Sequence, residues 1–319
     1  MKNVTKLLTV LLVGGTLLLA SNQRVAALGG NAAYWPEDDA NIWVFPHAVN
    51  NFNLANTDGS DFYVSWGDGM KFGFAGGLAD DMLNLTWGQN NMGVNFGLNM
   101  TPEVTAVAAS CSDGVSADET ACVAAMGTWD GGVAGSEAGQ VVNFGYGMGM
   151  DFGDVGLWFN NNGGTNVDFF LRRAQDLWIW DNMLVGFGMM SPEEGDSEMN
   201  LGVNCFTHLD IADNTTGLFA MGFGFHSHGD ESDITFPAMT FAVESGMTDW
   251  ATVRAGFTKD WSISNTSSAG VNPNFGLGFN YGSFNLDMNV GTDLFTNPVG
   301  KITGYDELGA GEFNITYSW

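Results

Sequence analysis

From Phe313 to Trp319 the chain alternates apolar and polar residues without a break and stops on an aromatic side chain. A side-chain period of two puts Phe313, Ile315, Tyr317 and Trp319 on one face of a strand. The pattern recurs along the chain. Met92, Val94, Phe96, Leu98 and Met100 alternate with Gly and Asn, and so do Phe219, Met221, Phe223 and Phe225 with Ala and Gly. The windows Val142–Phe152, Phe275–Tyr281 and Phe284–Val290 read the same way. In a soluble sandwich the second face would be wet with Lys, Thr and Glu. Here it is Gly, Asn, Ser and Asp, almost free of Lys. Large apolar side chains toward lipid and small polar ones toward a lumen fit a membrane barrel, and a bilayer demands that the sheet close. Trp66, Trp87, Trp158, Trp178, Trp180, Trp250 and Trp319 fall near strand ends, where an interfacial aromatic girdle is expected. The expected fold is all-β, a transmembrane antiparallel barrel in a bacterial outer membrane.

Strand parity orients the barrel. About eleven strands follow the long segment 101–139: 140–152, 155–160, 166–173, 177–190, 198–209, 217–226, 234–244, 250–258, 273–281, 284–292 and 311–319. Both termini of such a barrel face the periplasm, with short turns inside and long loops outside. Counting back from Trp319, the connections 293–310, 259–272, 227–233, 191–197 and 161–165 point outward, with most of the acidic clusters. An odd number of strands must precede the long segment. Three gives a total of 14 and five gives 16. Residues 50–100 hold up to five short candidates, near 50–56, 61–67, 70–77, 81–88 and 91–100, so the count by itself leans to 16. The phase around Trp180 is open, and a bulge there would alter the count.

Lys2, Lys6, the apolar run Leu7–Ala20 and the small residues Val25-Ala26-Ala27 read as a secretory leader, residues 1–27. Nine Lys plus Arg face 36 Asp plus Glu, a formal charge of −27. Loss of Lys2, Lys6 and Arg24 with that leader would bring the charge near −30. Such a balance excludes nucleic acid as a partner. It implies acidic solvated loops suited to salty surroundings, or attraction of cations. Cys111 and Cys122 are candidates for a disulfide closing a small outer loop, and Cys205 reads as a free thiol in a strand.

Residues 28–50 do not alternate. The stretch Leu28–Pro46 resembles the N-terminal segment of the FadL-like outer-membrane family, which includes hydrocarbon transporters and the PorV secretion barrel. Gly29, Asn31, Ala32, Asp38, Asp39, Ala40 and Pro46 match its pattern. Phe45 stands where Asn is usual, and His47 where Ala is usual. The resemblance covers about 20 residues plus the aromatic C-terminus, and it points to a clan and not to a substrate. It implies a 14-stranded barrel, 51–319, with residues 28–50 folded inward as a plug or hatch carried by Asn31, Asp38, Asp39 and Pro46. On that ground 14 strands are expected, with 16 as the alternative. Gly and Asn on the inner face leave room for such a plug.

His226 and His228 share a strand face near Asp230 and Glu231, a candidate outer-loop cation site set against a plain polar loop tip. Arg172 and Arg173 point to opposite faces, toward headgroup phosphate or rim acids. No nucleophile triad, phosphate loop or zinc signature is present, and the Gly-x-Gly steps are strand alternation, so neither catalytic residues nor a cofactor nor a firm metal site is expected. The expected function is passage of small hydrophobic molecules through a plugged lumen. A cation-preferring porin and a non-transporting secretion or surface scaffold are the alternatives. Expected partners are outer-membrane lipid and lipopolysaccharide, the barrel-assembly machinery and hydrophobic small molecules.

Overall fold

The computed structural model describes residues 22–77, 83–101, 110–112, 120, 122, 128–130, 139–193, 195–263, 271–290 and 312–319. The Lys2–Ala20 leader reading, most of the 101–139 loop and the outward connection 293–310 lie outside them.

Sixteen antiparallel strands close into one barrel. We number them in chain order. β1 is Leu54–Thr57, β2 Asp61–Trp66, β3 Met70–Gly77, β4 Leu83–Gln89 and β5 Met92–Thr101. β6 is Gly139–Met150, β7 Gly153–Asn160, β8 Gly164–Leu177, β9 Trp180–Pro192, β10 Glu198–Ala212 and β11 Thr215–His228. β12 is Glu231–Thr248, β13 Ala251–Ser262, β14 Val271–Tyr281, β15 Phe284–Val290 and β16 Phe313–Ser318. A separate two-stranded ribbon pairs Ser110–Cys111 with Trp129–Asp130 in the long outer segment.

The count corrects the expectation of 14. All five short candidates before the long segment are strands, so the alternation had counted correctly and the resemblance had pulled the number down. The easiest strand to overlook is β1, only four residues long. It is also the closing strand, since Leu54 pairs with Ser318 and Thr57 with Ile315. Without it β2 and β16 would present unpaired backbone groups to lipid, where each costs several kcal/mol.

Most strands run past the expected bounds into the outer connections. β12 is the longest, at 18 residues, where about 9–11 suffice to cross a bilayer. The excess lengthens the outer rim, and the loop expected over 227–233 shrinks to Gly229 and Asp230. The irregular phase before Trp180 is real: the β8–β9 register shifts between Ala174 and Leu177, and Trp178 takes a positive φ of 61°. A second shift in β12 brackets Pro237, a residue with no N–H to give a ladder.

Alternation sorts the two faces as expected. Phe96, Phe144, Leu157, Phe159, Phe257, Phe313, Ile315 and Tyr317 are exposed on the outer wall. Phe219, Phe241 and Phe257 stack in a row across β11, β12 and β13, with ring centroids 4.5 and 4.9 Å apart. Trp66, Trp178, Trp250 and Trp319 are exposed at the rim of short turns, as a girdle requires. Trp158 and Trp180 are not exposed there: Trp158 faces inward, 9 % exposed, and Trp180 is 6 % exposed with its ring packed on Phe219. Asp151 lies exposed in the Met150–Gly153 turn.

Candidate functional site

Inward-facing polar residues pair across neighbouring strands. Asn95 Nδ2 donates to Asn84 Oδ1 at 2.6 Å, Asn56 Nδ2 to Thr316 Oγ1 at 2.9 Å, and Asn314 Nδ2 to Asn56 Oδ1 at 2.9 Å. Tyr63 and Thr86 share a hydroxyl hydrogen bond of 2.9 Å. These pairs satisfy one another within the wall, as buried polar groups require.

Residues 22–52 occupy the turn-side half of the lumen. They form α1 (Asn22–Ala27) and three 3-10 turns, Ala32–Tyr34, Asp39–Trp43 and Pro46–Asn51. The four residues expected to carry a plug start these turns or lie at their starts. Asn31 Oδ1 accepts from Ala33 N–H at 3.0 Å, and Asp38 Oδ1 from Ala40 N–H at 2.9 Å. Asp39 opens the second turn and is buried, and Pro46 opens the third. The side chains of Asn31 and Asp38 cap their turns, and Pro46 takes the first position of its turn, where its missing N–H costs nothing.

The sequence did not single out Asn41, which is fully buried. Its Nδ2 lies 2.5 Å from Trp35 O, 3.0 Å from Asp38 O and 3.1 Å from Ala32 O, gathering the first two turns.

Glycines of the wall seat the plug backbone. A Cβ on Gly93 would meet Pro46 O at 2.2 Å, and one on Gly156 would meet Val44 O at 2.2 Å. Trp158 Nε1–H donates to Val44 O at 3.1 Å. Two apolar contact sets complete the seat. Leu28, Tyr34, Trp35 and Phe45 pack on Leu184, Phe206, Leu218, Ala220 and Ala242 of β9–β12, with Val44 and Phe170 beside them. Ile42, Ala48 and Val49 pack on Leu54, Tyr63 and Ala75 across the lumen. Burial of each large side chain is worth about 1.5–3 kcal/mol.

Two ionic clusters pin the plug to opposite sides of the wall. In the first, Asp154 Oδ2 accepts from Arg172 Nη2 at 2.7 Å and Nε at 3.0 Å, while Asp154 Oδ1 lies 3.0 Å from His47 Nε2. Arg172 Nη1 reaches into the plug, donating to Asn41 Oδ1 at 2.8 Å and Ala33 O at 3.0 Å. Its guanidinium lies 4.7 Å from the Phe45 ring centroid. Phe45 and His47, the two departures from the FadL-like pattern, are therefore contact residues with the wall.

In the second, Arg24 forks onto Glu244, Nε to Oε2 and Nη2 to Oε1, both at 2.9 Å, and its Nη1 pairs with Asp38. Arg254 Nε donates to Glu244 Oε2 at 2.5 Å and its Nη1 to Asp287 Oδ1 at 2.6 Å. The chain Asp38–Arg24–Glu244–Arg254–Asp287 alternates in sign. Burial alone would lower the Arg24 pKa, but the hydrogen bonds to Glu244 and the charges of Asp38 and Glu244 outweigh it and hold the pKa above its usual value. Beside this cluster a cavity of about 320 Å³ opens between plug and wall, lined by Arg24, Asp38, Arg254, Phe279, Asp287 and Thr316.

Arg172 was expected at headgroups or rim acids, and it does meet a rim acid, Asp154 beside the Met150–Gly153 turn, from the inner face. It points inward because its alternation places it with Phe170 and Asp168, while Arg173 points out. Scarcity was the available signal: an Arg on an inward parity in so acid-rich a chain has to meet a lumen acid. Inward parity also marks Asp154, Glu244 and Asp287, but it does not say which basic residue each one meets.

The outer-loop cation site does not assemble. His226 Nδ1 lies 2.5 Å from Asn200 Oδ1, and His228 Nδ1 3.1 Å from Glu198 Oε1. Asp230 and Glu231 are exposed, and no three His, Cys, Asp or Glu among the described residues are placed to hold a metal ion. Cys122 is disulfide-bonded and Cys205 is a free thiol on the outer wall. The side chain of Cys111 lies outside the described residues.

Fold and site together define an outer-membrane β-barrel of sixteen strands whose lumen carries a folded plug. Comparison with family models and with curated proteins finds no match. Among solved structures, the chain resembles a "bacterial polysaccharide outer membrane secretin" at 8 % identity, covering 83 % of this chain and 97 % of that one, with a TM-score of 0.44. It also resembles mutants of Rh. blastica porin at 8 % identity, covering 81 % of this chain and 89 % of theirs, with TM-scores of 0.37 and 0.36.

Proposed function

We propose that the protein is a plugged channel that passes small hydrophobic molecules across the outer membrane, and not an enzyme. The observation that carries this reading is the plug's seat. One side of the lumen, on β9–β12, offers Leu184, Phe206, Leu218, Ala220 and Ala242 to the plug's Leu28, Tyr34, Trp35 and Phe45. If the plug shifts on that side, an apolar strip is uncovered that an apolar solute can cover in its place. The outer wall meets lipid and lipopolysaccharide, and the acidic outer loops serve solvation.

An always-open porin would need a clear aqueous path past the plug. Single-channel recording in planar bilayers tests this. The expected wild-type record is near silence, with apolar solute co-purified or taken up by proteoliposomes. A steady, cation-selective current from the wild type would favour the porin instead. Silence with neither bound solute nor uptake would leave the scaffold.

A further inference from the structure

The residues Val25-Ala26-Ala27 fit a leader cleavage site by size, yet they and their neighbours are built into the lumen. Gln23, Val25 and Ala27 are buried in α1. The α1 backbone continues into the plug through Leu28 N–H to Arg24 O at 3.2 Å and Gly30 N–H to Val25 O at 2.8 Å. The wall is shaped to receive it: a Cβ on Gly276 would meet the Ala27 Cβ at 2.4 Å, and one on Gly256 would meet Ala27 O at 2.8 Å. Above all, Arg24 is the plug's only basic residue in the second ionic cluster, gripping Glu244 with both arms of its fork.

We propose that the leader is removed on the N-terminal side of Asn22, so that Arg24 stays with the mature chain and anchors the plug to Glu244. Hydrolysis of that peptide bond consumes one water, leaves a carboxylate on the leader and a new α-amino group on the plug. Ala20 and Ser21 are small residues of the kind a leader peptidase cuts after. A cut after Ala27 would take away Arg24 and leave Asp38, Glu244 and Asp287 clustered around Arg254 alone, three acids to one base in a lumen of low dielectric. Gly276 would then lose the plug residue it is shaped around, whereas Gly256 would still meet Leu28 and Gly29. The inference is independent of the transported solute, since it concerns which residues the plug contains.

Intact-mass measurement of the protein purified from outer membranes, with mapping of the N-terminal peptide ending at Glu37, reads the start directly. The expected N-terminal peptide contains Gln23 and Arg24. A start at Leu28, lighter by the six residues of α1 or more, would overturn the proposal. The second reading is hydrogen exchange of residues 28–45 in Arg24→Gln, compared with the wild type at equal barrel yield. An increase of about tenfold or more is expected, because a charge-assisted fork is lost. Wild-type exchange in that variant would refute the anchoring role even if the start lay before Asn22. If the variant does not assemble, the wild-type mass still decides where the chain starts.

Discussion

Replacing Arg172 with Gln should unseat the edge of the plug around Asn41 and Phe45 while leaving the barrel closed. Arg172 donates to Asp154 through two nitrogens, to Asn41 Oδ1 and to Ala33 O. Hydrogen bonds to a charged group contribute about 1.5–3 kcal/mol, and breaking a fully buried pair costs about 3–5 kcal/mol. The Asp154 side chain is 28 % exposed and keeps its contact with His47, so the lower part of this range applies. Gln can also replace one of the hydrogen bonds into the plug. A net loss of about 2–3 kcal/mol is expected, with every 1.4 kcal/mol a factor of ten. The plug-released fraction should rise about 30- to 150-fold by that arithmetic. Amide exchange of residues 32–50 in detergent measures it, since exchange follows local opening. The strands β10–β13 serve as internal control and should keep wild-type protection. If residues 32–50 exchange as slowly in the variant as in the wild type, the Arg172 contacts are not what holds the plug.

Other perturbations probe the remaining parts of the seat. Gly156→Val puts branched bulk where even a Cβ would stand 2.2 Å from Val44 O; it should destabilise the seated plug by the ~1–3 kcal/mol typical of overpacking, read as faster exchange of the plug or its release at lower temperature. Trp158→Phe removes the indole donor to Val44 O and part of the ring system that lies over Gly145; the lost hydrogen bond by itself should cost about 1 kcal/mol in the same assay. A barrel opened by Arg172→Gln should prefer cations, because inward Asp168, Glu244, Asp260 and Asp287, with Asp154, outnumber Lys71 and Arg254; the reversal potential in a salt gradient gives the sign, and anion preference would contradict the assigned lumen lining.

Much of this architecture is written in local pattern. Alternation of period two says which residues meet lipid and which meet the lumen, since a strand has no other way to place successive side chains. It also yielded the five strands before the long segment, and the count failed only when a distant resemblance overrode it. Residues 28–50 stood apart because they break the pattern, and Asn31 and Asp38 cap turns through partners two residues away, a range that sequence reading reaches.

The clamp on the plug belongs to another scale. His47 meets Asp154 across 107 positions and Arg24 meets Glu244 across 220. Alternation puts Asp154, Trp158, Glu244 and Asp287 on the lumen face, but no local rule says which plug residue each of them meets. Barrel closure decides these pairings: it brings distant strands around one lumen, sets their register, and leaves glycine where the plug backbone must pass. By itself the sequence determined a sheet that had to close in a membrane and a segment that could not join it. Only the tertiary structure decided where that segment rests, because its partners become neighbours only once the sixteenth strand has met the first.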